Sequence, residues 1–252
     1  MQYPILEFDP ARKAIIEPEK IVKKIDISEY CVISFFKEVT DKLINENKAK
    51  KVFTLRSEMS EHHVYETEFD GKTIAFITSG VGAPLAVAIL EELIALGCRK
   101  FIVCGSAGVL DRQIQCGKIV IPESAIRDEG VSYHYLPPSR EVSANPEAVE
   151  AIKTVLSKHG IEYILSKTWT TDAVYRETID KVNKRRSEGC LTVEMEASAF
   201  FAVAEFRQVK LGQMLYGGDD VSCEEWDHRN WLKQHDVRDL LFRLSAEACL
   251  LL

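Results

Sequence analysis

Metal-type cysteine spacing is missing from this chain. Its seven cysteines, at positions 31, 98, 104, 116, 190, 223 and 249, are scattered, odd in number, and contain no Cys-x-x-Cys pair. The pattern argues against a disulfide framework or a metal site and reads as reduced thiols of a cytoplasmic protein. A basic surplus is missing too: Lys and Arg number 32 against 39 Asp and Glu, a formal net charge of −7. General binders of nucleic-acid backbone need a basic face, so that class is set aside, whereas a small anion in a local basic pocket is not. No apolar run approaches the ~18 residues that span a bilayer. The opening Met1-Gln2-Tyr3-Pro4 shows no basic segment followed by an apolar one, so neither a membrane span nor a signal peptide is expected. Without a linker, low-complexity tract or internal repeat, the chain reads as one domain over residues 1–252.

What is present is an alternation of apolar strands, glycine turns and helices. Pro4, Pro10 and Pro18 keep residues 1–25 irregular. Asp26, with Glu29 behind it, predicts a helix start, and apolar spacing through Tyr30, Ile33, Phe36 and Val39 carries that helix to about Asn47. Residues 50–69 predict a strand and a loop bearing Arg56, His62 and His63, and Asp70-Gly71 predicts a hairpin into a strand over Lys72–Ser79. Gly80-Val81-Gly82-Ala83-Pro84 opens a helix over Leu85–Leu96 that Gly97 closes. Phe101-Ile102-Val103-Cys104 is the compact run of a buried parallel strand, and it ends in Gly105-Ser106-Ala107-Gly108. Further strands are expected over Lys118–Ile121, Tyr163–Trp169 and Val209–Leu215, and a long loop over 127–144. Helices are expected from Asn145-Pro146 to Gly160, through the basic stretch Lys181–Arg186, and from a capping box at Ser222-Cys223-Glu224-Glu225 onward. The fold class is α/β: a single domain with a central mixed β-sheet flanked by helices.

The stretch Leu191-Thr192-Val193-Glu194-Met195-Glu196-Ala197 sets two carboxylates where a strand enters an apolar helix. Ionised glutamate is seldom buried without partners, so the pair needs a reason. One is structural: a cap or an ion pair. The other is chemical: a carboxylate accepts two hydrogen bonds side by side, as a vicinal diol offers them, and Met195 adds polarizable apolar surface. Strand ends at Gly80-Val81-Gly82, Gly105–Gly108, Thr170-Thr171-Asp172 and Gly217-Gly218-Asp219-Asp220 converge on the edge where open α/β sheets bind ligands. The first is not a dinucleotide fingerprint, since GxGxxG is incomplete at Leu85. Adjacent residues of an extended segment point to opposite sides, so one of Asp219 and Asp220 faces the pocket as a candidate acid, the alternative being a pair that caps the final helix and binds water. His62-His63 reads as an exposed loop pair or as ligands.

Taken together, VEMEA, GSAG, GVGAP and GGDD in this order resemble the nucleoside phosphorylase/nucleosidase superfamily, from about Asp9 to the C-terminal helix. That group includes purine nucleoside phosphorylase, uridine phosphorylase and methylthioadenosine/adenosylhomocysteine nucleosidase. The resemblance implies cleavage of a nucleoside's N-glycosidic bond with phosphate or water as acceptor. It implies no metal or organic cofactor, phosphate as co-substrate, and a trimer or hexamer. Residue by residue, it implies that Glu196 binds the ribose hydroxyls, Met195 packs on the sugar, and Glu194 supports them. It implies Gly82, Ser106 and Arg12 (of Asp9-Pro10-Ala11-Arg12) as phosphate contacts, Tyr175 as a base contact, and Asp219 as the acid assisting purine N7.

The departures bear on the acceptor. Phe8 stands where the family's loop has glycine, and Val103 and Ser60 stand where bacterial phosphorylases carry arginines. Arg12, Arg56, Arg140 and Arg176 remain as sources of positive charge. The expected function is a nucleoside phosphorylase acting on a purine nucleoside, with a water-using nucleosidase or a non-catalytic nucleoside-binding protein as alternatives.

Overall fold

The computed structural model of the chain describes residues 3–58 and 60–252. The reading of Met1 and Gln2 falls outside the described residues. In chain order the elements are α1 (Pro18–Ile21), β1 (Tyr30–Ser34), α2 (Lys37–Asn45), β2 (Ala49–Arg56), β3 (Glu61–Phe69), β4 (Lys72–Thr78), α3 (Ala83–Leu96) and β5 (Lys100–Val109). There follow β6 (Ile119–Asp128), β7 (Glu141–Ser143), α4 (Pro146–Lys158), β8 (Tyr163–Thr171), α5 (Ile179–Ser187), β9 (Cys190–Glu194), α6 (Ala197–Arg207), β10 (Lys210–Asp220) and α7 (His235–Cys249). No helix among the described residues is long and apolar enough to cross a membrane.

All strands join one mixed sheet of ten. At its centre β1, β4 and β5 run parallel, with Val32 paired to both Phe76 and Ile102. Their near-continuous apolar runs follow from burial of both faces. Cys31, Ile33, Ala75, Ile77, Phe101 and Val103 face α3 and α6. The alternate residues Val32, Ile74, Phe76, Ile102 and Cys104 face α4 and α7. Beyond the centre the sheet curls on itself: β5 pairs with β10 and β9, β10 with β6, β6 with β8, and β8 with β9. These five strands therefore form a closed ring, while β4, β3 and β2 extend as an antiparallel flap.

Local chemistry explains most of the boundaries. Asn145 Oδ1 accepts the Ala148 N–H at 3.0 Å and caps α4. Asp70 and Gly71 take φ of 48° and 73°, the two left-handed positions of a tight hairpin between β3 and β4. Gly97, at φ 139°, ends α3.

Four expectations are corrected. The helix expected from Asp26 begins at Lys37, because Tyr30–Ser34 forms β1. Its apolar residues also satisfy a helical spacing, and pairing on both edges decides for strand. The 105–108 and 217–220 stretches do not end their strands: β5 runs to Val109 and β10 to Asp220, zipped together in parallel with Gly217 beside Ala107. The 127–144 loop is shortened by β6 and by β7, which pairs back on it. The capping box at Ser222 opens no helix; α7 starts at His235, and the Ser222 N–H is held by Asp220 Oδ1 at 2.9 Å.

Candidate active site

The carboxyl ends of β1, β5, β9 and β10 surround a cleft of about 630 Å3. Its lining brings together Glu194, Met195 and Glu196, Gly105–Gly108, Asp219 with Trp226 and His228, and Phe35–Glu38 with Trp231 and Arg238.

The two central glutamates differ in how fully their carboxylates are engaged by the protein. Glu194 is the more fully engaged. Its Oε2 accepts the N–H groups of Glu196 and Ala197 at 2.7 and 2.6 Å, satisfying donors at the start of α6, and its Oε1 accepts the Thr170 hydroxyl at 2.6 Å. Thr170 in turn accepts the Ser198 N–H, and the Ser198 hydroxyl donates to Glu129. Burial pushes the Glu194 carboxyl up, against the three hydrogen bonds that favour its charge.

Glu196 is 6% exposed and lines the cleft. Its Oε1 accepts the Gly82 N–H at 2.5 Å, at the start of α3, where Gly82 has φ 101° and needs to be glycine. Burial, then the charge of Glu194, raises the Glu196 carboxyl above its usual range. Such a group is poised to accept donors that a ligand brings, because donors favour its charged form.

Asp219 and Asp220 separate as extended backbone requires. Asp219 lines the cleft and its Oδ2 accepts the Trp226 indole N–H at 2.7 Å. Asp220 is fully buried, bonded to Arg229 Nη2 at 2.6 Å. Burial of Asp220 opposes ionisation, but the Ser222 and arginine contacts outweigh it and hold the carboxyl below its usual range. Near Asp219 lies Glu177, pushed up to about 7 by burial and then by the Asp219 charge.

Of the residues singled out in the sequence, Glu194, Met195, Glu196, Ser106, Asp219 and Tyr175 line this one cleft, and Gly82 touches it through Glu196. Tyr175 stands at the mouth, 95% exposed. Gly82 supports the carboxylate and presents no free N–H to an anion. Arg12 does not join them, which corrects its expected place. It is exposed, its guanidinium lies 4.4 Å from the Phe206 ring, and it lines a separate cavity of about 550 Å3 beside α3 and the end of α6. Asp9–Arg12 belongs to the N-terminal segment, whereas the turn that follows β1 at the cleft is Phe35-Phe36-Lys37-Glu38. Arg56 and Arg140 pair on the surface with Glu61 and Glu188.

Sequence reasoning missed Phe35–Glu38, Glu177, Trp226, His228, Trp231 and Arg238. The first group was hidden inside an expected helix, and the last four inside an expected capping box and amphipathic helix. The signal that would have found Phe35–Glu38 is the apolar run Tyr30–Ile33, which has the length of a short buried strand. Among the described residues, no group of three or more His, Cys, Asp or Glu is placed to share a metal ion.

Residues 29–240 match the model of the phosphorylase superfamily, and the chain belongs to that superfamily. It is 25% identical over 198 residues to a guanosine phosphorylase of Halorubrum lacusprofundi, covering 78% of this chain and 80% of that one. It is 26% identical over 196 residues to a uridine phosphorylase of Haemophilus influenzae, covering 72% and 78%. In fold it is similar to purine nucleoside phosphorylase from Toxoplasma gondii in complex with immucillin-H, with a TM-score of 0.77 over 89% of this chain and 91% of that one at 21% identity.

Proposed function

We propose that this protein cleaves the N-glycosidic bond of a nucleoside, preferentially a purine nucleoside, passing the ribose to phosphate and releasing free base and ribose 1-phosphate. The observation that supports the reading is the presence of Glu196 and Asp219 in one cleft, which the reading takes as the diol-binding carboxylate and the acid. Relatives called guanosine and uridine phosphorylase support the reaction class.

In this mechanism the ribose 2′ and 3′ hydroxyls donate to Glu196 while Met195 packs against the sugar. The bond from C1′ to the base breaks, its electron pair leaves with the base, and the sugar becomes oxocarbenium-like. Asp219 delivers a proton to N7 of the departing purine, a form of assistance worth roughly 10²–10⁴-fold. A phosphate oxygen then bonds to C1′. Glu194 fixes the start of α6, so the Glu196 carboxylate is aimed before substrate arrives. No metal or organic cofactor enters this scheme; the enzyme works in the cytoplasm as a homo-oligomer, a trimer or hexamer.

A second reading, with water as acceptor, is favoured by the position of Arg12 away from the cleft, where Lys37 and Arg238 are the only Lys or Arg side chains among the described lining residues. One experiment separates the two: base release from inosine, adenosine, guanosine, uridine and methylthioadenosine, with and without phosphate. Release that requires phosphate and yields ribose 1-phosphate is expected. Equal release without phosphate would replace this reading with hydrolysis, and no release from any of the five would sink both.

A further inference from the structure

The part of the cleft lined by Phe35–Glu38 holds an arginine from an unexpected element. Phe35 covers Gly105, where an added Cβ would come within 3.2 Å of its ring, so aromatic surface lies against this part of the lining. Lys37 points outward, its side chain 74% exposed and paired with Asp41. Arg238, on the first turn of α7, is 6% exposed and lines the cleft. Its Nε donates to the Tyr216 hydroxyl at 3.0 Å and its Nη1 to Glu38 Oε1 at 2.6 Å. Nη2 has no hydrogen-bond partner among the described residues. The guanidinium carbon sits 5.2 Å from the Phe36 ring centre, 5.7 Å from that of Trp231 and 5.9 Å from that of Tyr216. Tyr216 is the strand partner of Ser106 across β10 and β5, which brings the guanidinium's hydrogen-bond chain to the GSAG stretch.

A guanidinium this deeply buried requires an anion, and removing its partner outright is strongly destabilising. Glu38 is a loose partner. Its side chain is 40% exposed on the first turn of α2, so it can turn into water without unfolding anything. The planar fork of Arg238, with one edge held by Tyr216 and the other shared between Glu38 and the cleft, suits two oxygens of a phosphate.

We infer that Arg238 is the cation that receives the acceptor phosphate, with Ser106 beside it, and that Glu38 occupies its place until phosphate displaces it. The inference rests on the phosphorolytic reading. It supplies from the C-terminal helix the positive charge that Val103 and Ser60 do not. Phosphate binding becomes an exchange of one anion for another, so its strength is the difference between two pairings.

The test measures KM for phosphate and for the nucleoside in wild type, Glu38→Gln, Arg238→Lys and Arg238→Gln, with calorimetric titration of inorganic phosphate into each. Glu38→Gln is expected to lower the phosphate KM by roughly threefold to tenfold, with a much smaller change in the nucleoside KM. Arg238→Gln is expected to raise the phosphate KM at least tenfold, and Arg238→Lys to recover only part, since a point charge cannot replace the fork. Because Arg238→Gln leaves the Tyr216 and Glu38 contacts unmade and Glu38→Gln leaves the guanidinium without its carboxylate, the kinetics are read at a temperature where thermal melts show each variant folded, and Glu38→Gln and Arg238→Lys carry the decision. An unmoved phosphate KM in both overturns the inference. If wild type releases base equally without phosphate, the phosphorolytic reading fails by itself, and calorimetry then decides: phosphate binding that tightens in Glu38→Gln sustains the anion site, and no binding in either protein removes it.

Discussion

Asp219 and Asp220 are neighbours in the chain and face opposite sides of β10: Asp219 meets the Trp226 indole in the cleft, and Asp220 is buried against Arg229. Under the proposed mechanism Asp219 serves the chemistry while Asp220 holds structure, so the two should answer mutation differently.

Asp219→Asn is expected to lower turnover of purine nucleosides by roughly 10²–10⁴-fold while leaving the melting temperature in place. Asp220→Asn is expected to destabilise by on the order of 3 kcal/mol, because it strands the Arg229 guanidinium, with activity lost only as the fold is lost. Steady-state kinetics beside thermal melts of both variants separates the roles, and full purine activity in Asp219→Asn removes it as the acid.

For Glu196 the pH dependence has a definite sign. Its folded carboxyl lies above the usual range through burial and the Glu194 charge. The folded state therefore holds a proton that the unfolded state releases at about 4.3. Stability from this group is present below that value and falls as pH rises through the folded value. Glu196→Gln is expected to melt higher than wild type near pH 8 and to match it near pH 4, while losing nucleoside turnover throughout. Melts across that range check it; a wild type that gains on the variant as pH rises would contradict the assignment.

Arg12 lies on Phe206, in a cavity apart from the cleft that holds Glu196 and Asp219. Arg12→Ala is expected to leave the phosphate KM unchanged and to cost about 0.5–1 kcal/mol, the value of an exposed cation–π contact. A tenfold rise in that KM would return Arg12 to the phosphate site.

Gly212 packs β10 against α4 so closely that an added Cβ would lie 2.9 Å from Ala148 Cβ and 3.3 Å from its backbone carbon. Gly212→Ala is expected to cost about 1–3 kcal/mol by overpacking, since the helix backbone must move. Denaturant unfolding measures it.

How much of this was legible in the sequence depended on how locally each feature is determined. Asn145, Asp70-Gly71 and Gly97 act through their own turns, and their neighbours in the chain suffice to read them. Glu194 and Glu196 stood out because charge inside an apolar run needs a cause. Their division of labour did not, since it depends on Thr170 and Gly82, which the fold brings from far away. The strand at Tyr30–Ser34 was masked because a doubly buried strand has no polar face to betray its period. Arg238 looked like an ordinary arginine of an amphipathic helix, and only the packing of α7 over β1 and β10 turns it inward. Asp9-Pro10-Ala11-Arg12 misled for the opposite reason: a short motif says nothing of which strand precedes it.

The pairing of β5 with β10 sets Lys100 beside Lys210 and closes the ring with the last strand of the chain. Contacts of such long sequence separation form late and slowly, because the loop between them must be ordered first. The Ser106 and Asp219 sides of the cleft are therefore expected to come together late in folding. Nucleoside binding would report completed folding more faithfully than helical content does, and a refolding chain should regain its helices before it regains the ability to hold a ligand.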